Sequence, residues 1–456
     1  MGFRNASRVR LLGLIGLAGM MALIALAVLL RQPKPAAQTL LKLPDGSSVR
    51  IMAVTYGTNH LAGSPVARMA ARMPAWAQVV LQRVLGNRAV VAGSTTTTEP
   101  TLVVWIERLT NSAPRLPNAG FFDVFLADGS GFVSGADVYM SGWSNPEPLR
   151  FGVFPRRDRA ISVNFYYHSP TGGVSQCGSL PFANPLFGSF PQWQPETLPV
   201  NKQTARVAAS VSKLSTGHDQ TTSHRGLEQG GSVIEFGTNR LDGRNSSVCF
   251  IQLHSLTDTN ETWCVVNERV SDATGNKIGN SSMGWGSYED GYFTFEPGLW
   301  TNESAWKLGC ELKRVKGFQP GETFVFKDVP LGLIGTTNRY GWTKNLGGVT
   351  VTLDHLVRRA PKTNETWSSR DLSPAKFFVA GLTKGWHLDL ISAVTQDGTR
   401  LETPSWESTE TERTYYFRRI PEEAKTVDLT FAVQHSEWVE FVVKPEVGLA
   451  QKRLEH

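Results

Sequence analysis

Nine histidines, four cysteines and 40 acidic residues are the side chains from which a reactive centre would be assembled. Their spacing does not form one. No two histidines stand four apart, so the HExxH zinc helix is absent. No CxxC occurs, which excludes a zinc ribbon and a thioredoxin-like pair. GxSxG, a Cys/His nucleophile pair and the phosphate loops GxxxxGK[ST] and GxGxxG are missing too. His218-Asp219 with His224 is the closest group of metal-ligand types, in a Gly/Ser/Thr-rich stretch that reads as a solvated loop. Asp258-Thr-Asn260-Glu261 and Ser271–Asn276 resemble fragments of calcium loops without EF-hand spacing, and are expected as Asx turns. The expectation is a non-enzymatic protein with no metal and no cofactor.

Ligand recognition then falls to aromatic rings. Thirteen tryptophans are many for 456 residues. Trp143, Trp285, Trp300, Trp342, Trp386 and Trp406 adjoin Gly, Ser or Pro and are expected in loops, where flat rings can stack on sugars or partner side chains. Trp285 and Trp386 are the ligand-binding candidates. Cys249, Cys264 and Cys310 cluster while Cys177 stands apart. A bridge inside that group and buried free thiols are both compatible with the spacing.

Charge locates the chain rather than its ligand. Of 46 basic residues, five fall in residues 1–34 without an acid, and the other 41 balance 40 acids. No basic face remains for nucleic acid. Leu11–Leu30 (LLGLIGLAGMMALIALAVLL) carries no charge. At about 1.5 Å per residue it spans the roughly 30 Å hydrocarbon layer of a bilayer. Arg4, Arg8 and Arg10 precede it and favour a cytoplasmic N-terminus. The reading is a single-pass membrane protein with a transmembrane helix over 11–30 and the bulk of the chain periplasmic or extracellular. A cleaved signal peptide ending near Ala25-Leu26-Ala27 is the rival reading, and it too exports the bulk.

The elements that follow read as strands. Leu102–Leu109, Val207–Leu214 and Val349–Leu356 each carry aliphatic residues at positions 1, 3, 5 and 8. The first three have the period of a half-buried strand; the eighth breaks it as a strand end or bulge would. An aromatic strand, a Pro turn and an alternating strand then recur. The copies are Leu149–Pro155 before Ile161–Phe165, Tyr292–Pro297 before Trp306–Leu312, and Tyr415–Pro421 before Val427–Val433. Phe324-Val-Phe-Lys327 and Phe441-Val-Val-Lys444 close the second and third copies alike. Gly57-Thr-Asn-His60, Gly237-Thr-Asn-Arg240 and Gly335–Arg339 echo one another and are expected as turns.

The pattern resembles the tandem immunoglobulin-like or C2-like sandwiches of bacterial envelope proteins. The expected architecture is all-β, with an N-terminal transmembrane helix and three tandem β-sandwich modules. Its divisions are a cytoplasmic 1–10, the span 11–30, a preface 38–100, modules over 101–200, 201–330 and 331–450, and a Pro-rich linker ending the first module. The preface is expected to add a strand at Ser48–Thr55 and an amphipathic helix near Ala75–Leu85. Residues 46–98 hold no acid and include Arg68, Arg72, Arg83 and Arg88, the candidates for contact with anionic lipid. The function expected is a membrane-anchored binding or scaffold protein of the cell envelope, meeting a protein or glycan partner. The alternative is a carbohydrate-binding or carbohydrate-processing envelope protein that uses the tryptophans.

Overall fold

A computed structural model describes residues 39–447, apart from 64–72, 75–78, 80–92, 110–120, 130–132, 141–145, 169–173, 219–221, 227–231, 237–245, 280–281, 286–289, 296–297 and 361–371. The apolar segment 11–30, the helix expected near Ala75–Leu85, and Arg68, Arg72, Arg83 and Arg88 lie outside the described residues. Among the described residues no helix is long and apolar enough to cross a membrane. The described chain is almost entirely β-strand, in sheets whose pairings are antiparallel except for one short parallel pair.

The first unit has two four-stranded sheets. Its strands are β1 (Leu41–Lys42), β2 (Ser48–Ala62), β3 (Gly93–Leu109), β4 (Phe121–Ala127), β5 (Val133–Met140), β6 (Glu147–Phe151), β7 (Ala160–His168) and β8 (Val174–Ala183). One sheet runs β1-β2-β3-β6 and the other β5-β4-β7-β8. Leu102, Val104 and Ile106 of one sheet meet Val124, Val163 and Phe165 of the other in one buried core. Period-2 alternation is what supplies each sheet with this apolar face. The preface strand pairs with β3 along its length, as part of this sheet.

The second unit begins with β9 (Val200–Gln203), β10 (Val207–His218), β11 (Thr222–Gly226), β12 (Ser232–Phe236), β13 (Ser246–Ser255), β14 (Thr262–Asp272), β15 (Lys277–Gly279), β16 (Ser282–Trp285), β17 (Asp290–Phe295) and β18 (Trp306–Lys316). The third has β19 (Thr323–Pro330), β20 (Thr337–Leu346), β21 (Val349–Val357), β22 (Ser373–Ala380), β23 (Trp386–Thr395), β24 (Glu402–Ser408), β25 (Glu412–Arg418) and β26 (Thr426–His435). After it come β27 (Glu437–Val443) and β28 (Glu446–Val447).

The pairings cross the boundary expected at residue 330. β19 pairs with β26 inside the third unit, and β27 pairs with β18 inside the second. The second unit is therefore β16-β17-β13-β10, with β9 and β28 on β10, facing β15-β14-β18-β27. The third is β20-β21-β22-β25-β24 facing β19-β26-β23. The chain leaves the second unit before its last strand is in place, builds the third, and returns to complete the second. Phe441 and Val443 lie in the second core with Trp306 and Leu308, whereas Phe326 and Val329 lie in the third with Phe431. The units are interlocked and not simply tandem.

One strand order underlies all three. A hairpin in one sheet (β2-β3, β10-β13, β21-β22) crosses to the other (β4, β14, β23). The chain returns (β6, β17, β25) and crosses again (β7, β18, β26). The aromatic-strand, Pro-turn, strand motif falls on the same β6-β7, β17-β18 and β25-β26 crossings each time. The first marker does not recur so well. Val207–Leu214 and Val349–Leu356 start the equivalent strands β10 and β21, but Leu102–Leu109 lies one strand later, in β3. Ser212 and Asp354 are skipped in the ladders to β13 and β22, which returns Leu214 and Leu356 to the core. β3 has no such extra residue there, and Leu109 is exposed.

Candidate functional site

Several buried polar and charged residues lie inside single units, as His60 and Arg358 do, but the largest linked groups of them lie where the units meet. At the first joint the Asn276 side chain pairs with the backbone of Phe154. Its Nδ2 donates to the Phe154 carbonyl at 2.9 Å, and its Oδ1 accepts from the Phe154 N–H at 3.3 Å. The Asp272 carboxylate accepts from the Thr274 and Asn276 backbone N–H groups and from Asn276 Nδ2, so 271–276 is an Asx turn spent on this joint. Asp258 makes the same turn with Asn260. Arg156 donates to the Thr274 carbonyl and lies over the rings of Tyr56 and Phe154. Arg157 pairs with buried Glu303 at 2.9 Å. Burial pushes the Glu303 carboxyl above its usual range against the pull of Arg157.

The second joint is a two-stranded ribbon shared by two units. β18 and β27 pair on one side, β19 and β26 on the other, and the ladder lapses between them. Gln434 closes the gap. Its Oε1 accepts from the Arg314 N–H at 2.9 Å and its Nε2 donates to the Arg314 carbonyl at 2.7 Å. The Arg314 guanidinium is buried between Glu261 at 3.2 Å and Glu322 at 2.5 Å, and Arg206 reaches both carboxylates. Glu311 accepts from Ser436 at 2.7 Å and pairs with His387 at 2.9 Å. Lys313 pairs with Asp389 at 2.5 Å. Burial pushes the Glu261, Glu322 and Glu311 carboxyls up, but their hydrogen bonds and facing charges outweigh it and hold all three below the usual range. Ser436 and His387 share one carboxylate oxygen and are not joined to each other as nucleophile and base would be.

A cleft of about 600 Å³ opens beside this ribbon. It is lined by Thr262 and Lys316 of the second unit, Thr323 and Thr430 of the third, and Phe318 and Arg400 from connecting segments. Its floor turns at Gly317, whose φ is +82°. A Cβ there would stand 2.7 Å from the Glu261 backbone, so the close approach requires glycine.

The sequence candidates fall elsewhere. Trp386 starts β23, packs on the third core and meets His435 edge-on at 5.5 Å. Trp285 ends β16, and Trp342 and Trp406 are also on strands rather than in loops. Trp300 is buried and stacks on Trp306 at 6.2 Å. Gly57 sits at a strand bulge, whereas Gly335 is at a turn. The four cysteines are free thiols, with Cys249, Cys264 and Cys310 buried. Burial pushes the Cys264 thiol up to about 11. Among the described residues no group of three or more His, Cys, Asp and Glu is arranged to hold a metal ion. The joints went unforeseen because Arg314 and Gln434 are single polar residues with no motif around them, and because Ser271–Asn276 reads as an Asx turn without showing what that turn meets. The only signal was a polar residue at an inward strand position, as Arg314 is in WKLGCELKRVK.

No protein family matches the chain, and no curated protein matches it significantly in sequence.

Proposed function

We propose that the chain is a membrane-anchored, exported scaffold of the cell envelope that presents three immunoglobulin-like sandwiches as one stiff body and binds partners without transforming them. Two facing antiparallel sheets in each unit, and the same order of crossings between them in all three, support the immunoglobulin-like reading. The anchoring rests on Leu11–Leu30 and the arginines before it.

The observation that carries the scaffold reading is the second joint. Ordinary interdomain linkers are single, polar and mobile. Here two strands pass between the units, and a buried charge network with a carboxamide bridge fills the crossing. Buried ionic groups of this kind are costly to separate, so the units hold one orientation. The test is to express the full chain in a bacterium, extract membranes with alkaline carbonate, and add protease to osmotically opened cells. The proposal expects the protein in the membrane pellet, degraded only after opening or from outside. A chain that stays in the soluble fraction contradicts the anchor.

A further inference from the structure

The cleft at the second joint has more positive charge than its surroundings neutralise. The two carboxylates next to it in sequence, Glu261 and Glu322, are already taken by Arg206 and Arg314. Lys313 is matched by Asp389. Among the described residues, no carboxylate lies within ion-pair distance of Lys316 or Arg400. Arg400 is also held in place, because its Nη2 donates to the Ile391 carbonyl at 3.0 Å. A guanidinium fixed by one of its nitrogens keeps the others for an incoming planar anion.

The remaining lining has a second character. Thr262, Thr323 and Thr430 come from three strands in two units; the Thr323 hydroxyl donates to the Pro320 carbonyl at 3.5 Å and keeps its oxygen to accept, while a threonine hydroxyl can in general do both. Phe318 gives the cleft an aromatic ring, with the Arg314 guanidinium 5.5 Å from its centre, and Val315 and Ile391 add aliphatic side chains to the lining. The volume falls within the roughly 300–1,000 Å³ of small-molecule sites. Cations, hydroxyls and an apolar wall together match a ligand that is anionic, polyhydroxylated and apolar on one ring face.

We propose that this cleft binds a carboxylated saccharide, with its carboxylate between Lys316 and Arg400 and its ring against Phe318. Both units line the cleft, so the site exists only while the ribbon holds them together. The inference deepens the binding half of the scaffold reading and rests on it. A failed titration would leave membrane fractionation unaffected, so the two can fail separately.

The test is calorimetric titration of the full-length protein with trigalacturonic acid, with maltotriose as the neutral counterpart and sodium sulfate as the plain anion. Trigalacturonic acid is expected to bind saturably and at least about tenfold more tightly than either control, a difference of ~1.4 kcal/mol. Arg400→Gln and Lys316→Gln should each weaken it by about tenfold or more. Both side chains are exposed, so folding should survive, and an unchanged thermal midpoint checks this. Thr430→Val offers a variant without a charge change and should weaken binding while leaving the fold intact. Lys344→Gln, an exposed lysine on β20, should change nothing. The proposal is overturned if wild-type protein shows no saturable binding. It is equally overturned if maltotriose or sulfate binds as tightly as trigalacturonic acid, or if Arg400→Gln binds it unchanged.

Discussion

Gln434 pairs with the backbone of Arg314 as a neighbouring strand would, giving and receiving one hydrogen bond through a single carboxamide. Asn276 does the same for Phe154 at the other joint. In both places segments of different units meet where no strand ladder joins them, turn against turn at Asn276 and strand against strand at Gln434. A backbone N–H and C=O would be buried there without partners, at about 1–3 kcal/mol for each group left unsatisfied. A side-chain amide carries the same donor and acceptor pair as a peptide group and can supply both from outside the ladder.

Replacing Gln434 by Ala should therefore cost about 2–4 kcal/mol, from two orphaned backbone groups and lost packing. Urea unfolding monitored by tryptophan fluorescence measures it. A loss under about 0.5 kcal/mol, the size of an ordinary surface change, would show that the amide bridge contributes little.

Arg314→Met should be more damaging, about 3–5 kcal/mol at neutral pH, because buried Glu261 and half-buried Glu322 lose a shared cation. Arg206 still reaches both carboxylates and softens the loss. Acid should narrow the gap between variant and wild type, since protonating the carboxyls removes the uncompensated charge. A gap of constant size from pH 7 to pH 4 would mean that packing, not charge, is what Arg314 provides.

The wild-type pH dependence has a definite sign at each joint. Glu261, Glu322 and Glu311 are held below their usual range when folded. Their contribution is fully present above an unfolded carboxyl pKa of about 4.3 and disappears as pH falls through the lower folded values. The second joint should lose stability below about pH 4. Glu303 works the opposite way, because burial raises it, so the first joint gains as pH falls through that raised value. Thermal melts from pH 7 to pH 3 with probes in each unit should show the second and third units weakening together while the first lags. Melting independent of pH over this range would contradict the role given to these carboxylates.

The sequence showed how each strand is built but not which partner it takes. Positions 1, 3, 5 and 8 of Val207–Leu214 and Val349–Leu356 carry a bulge in the spacing itself, and Ser212 and Asp354 are where it occurs. The same spacing in Leu102–Leu109 belongs to a strand one place later, because apolar alternation records burial and not topology. Phe324–Lys327 and Phe441–Lys444 look alike because both fill the same edge slot, beside β26 and beside β18. Either segment satisfies either slot locally. The choice depends on chain routing, with only Ser436 between β26 and β27, and no window of residues contains that. The tryptophans misled for a related reason. Neighbouring Gly suggested a loop around Trp386, which starts a strand, and Trp300 does lie in a connection but is buried, because a large ring beside a small residue is also how a core fills its volume.

Removing a ring from β27 should weaken the second unit although β27 follows the third in sequence. Phe441→Ala should cost about 3–5 kcal/mol and expose Trp306, with which Phe441 shares a core. Phe431→Ala should instead strike the third unit first. If Phe441→Ala leaves the fluorescence of the second unit's buried tryptophans unchanged, β27 does not complete that core.

Cross-linking tests the interlocked ribbon most directly. Lys307 and Val442 are opposed in the β18–β27 register, and opposed strand residues have Cα atoms about 4.5–5.5 Å apart, within disulfide reach. With Cys177 replaced by Ser, Lys307→Cys with Val442→Cys should oxidise to an intramolecular bond, mapped by mass spectrometry. Lys307→Cys with Val325→Cys, which would join β18 to the segment that follows it, should remain reduced. Efficient bonding of the second pair and none of the first would mean that each unit closes with its own following strand, contradicting the shared ribbon.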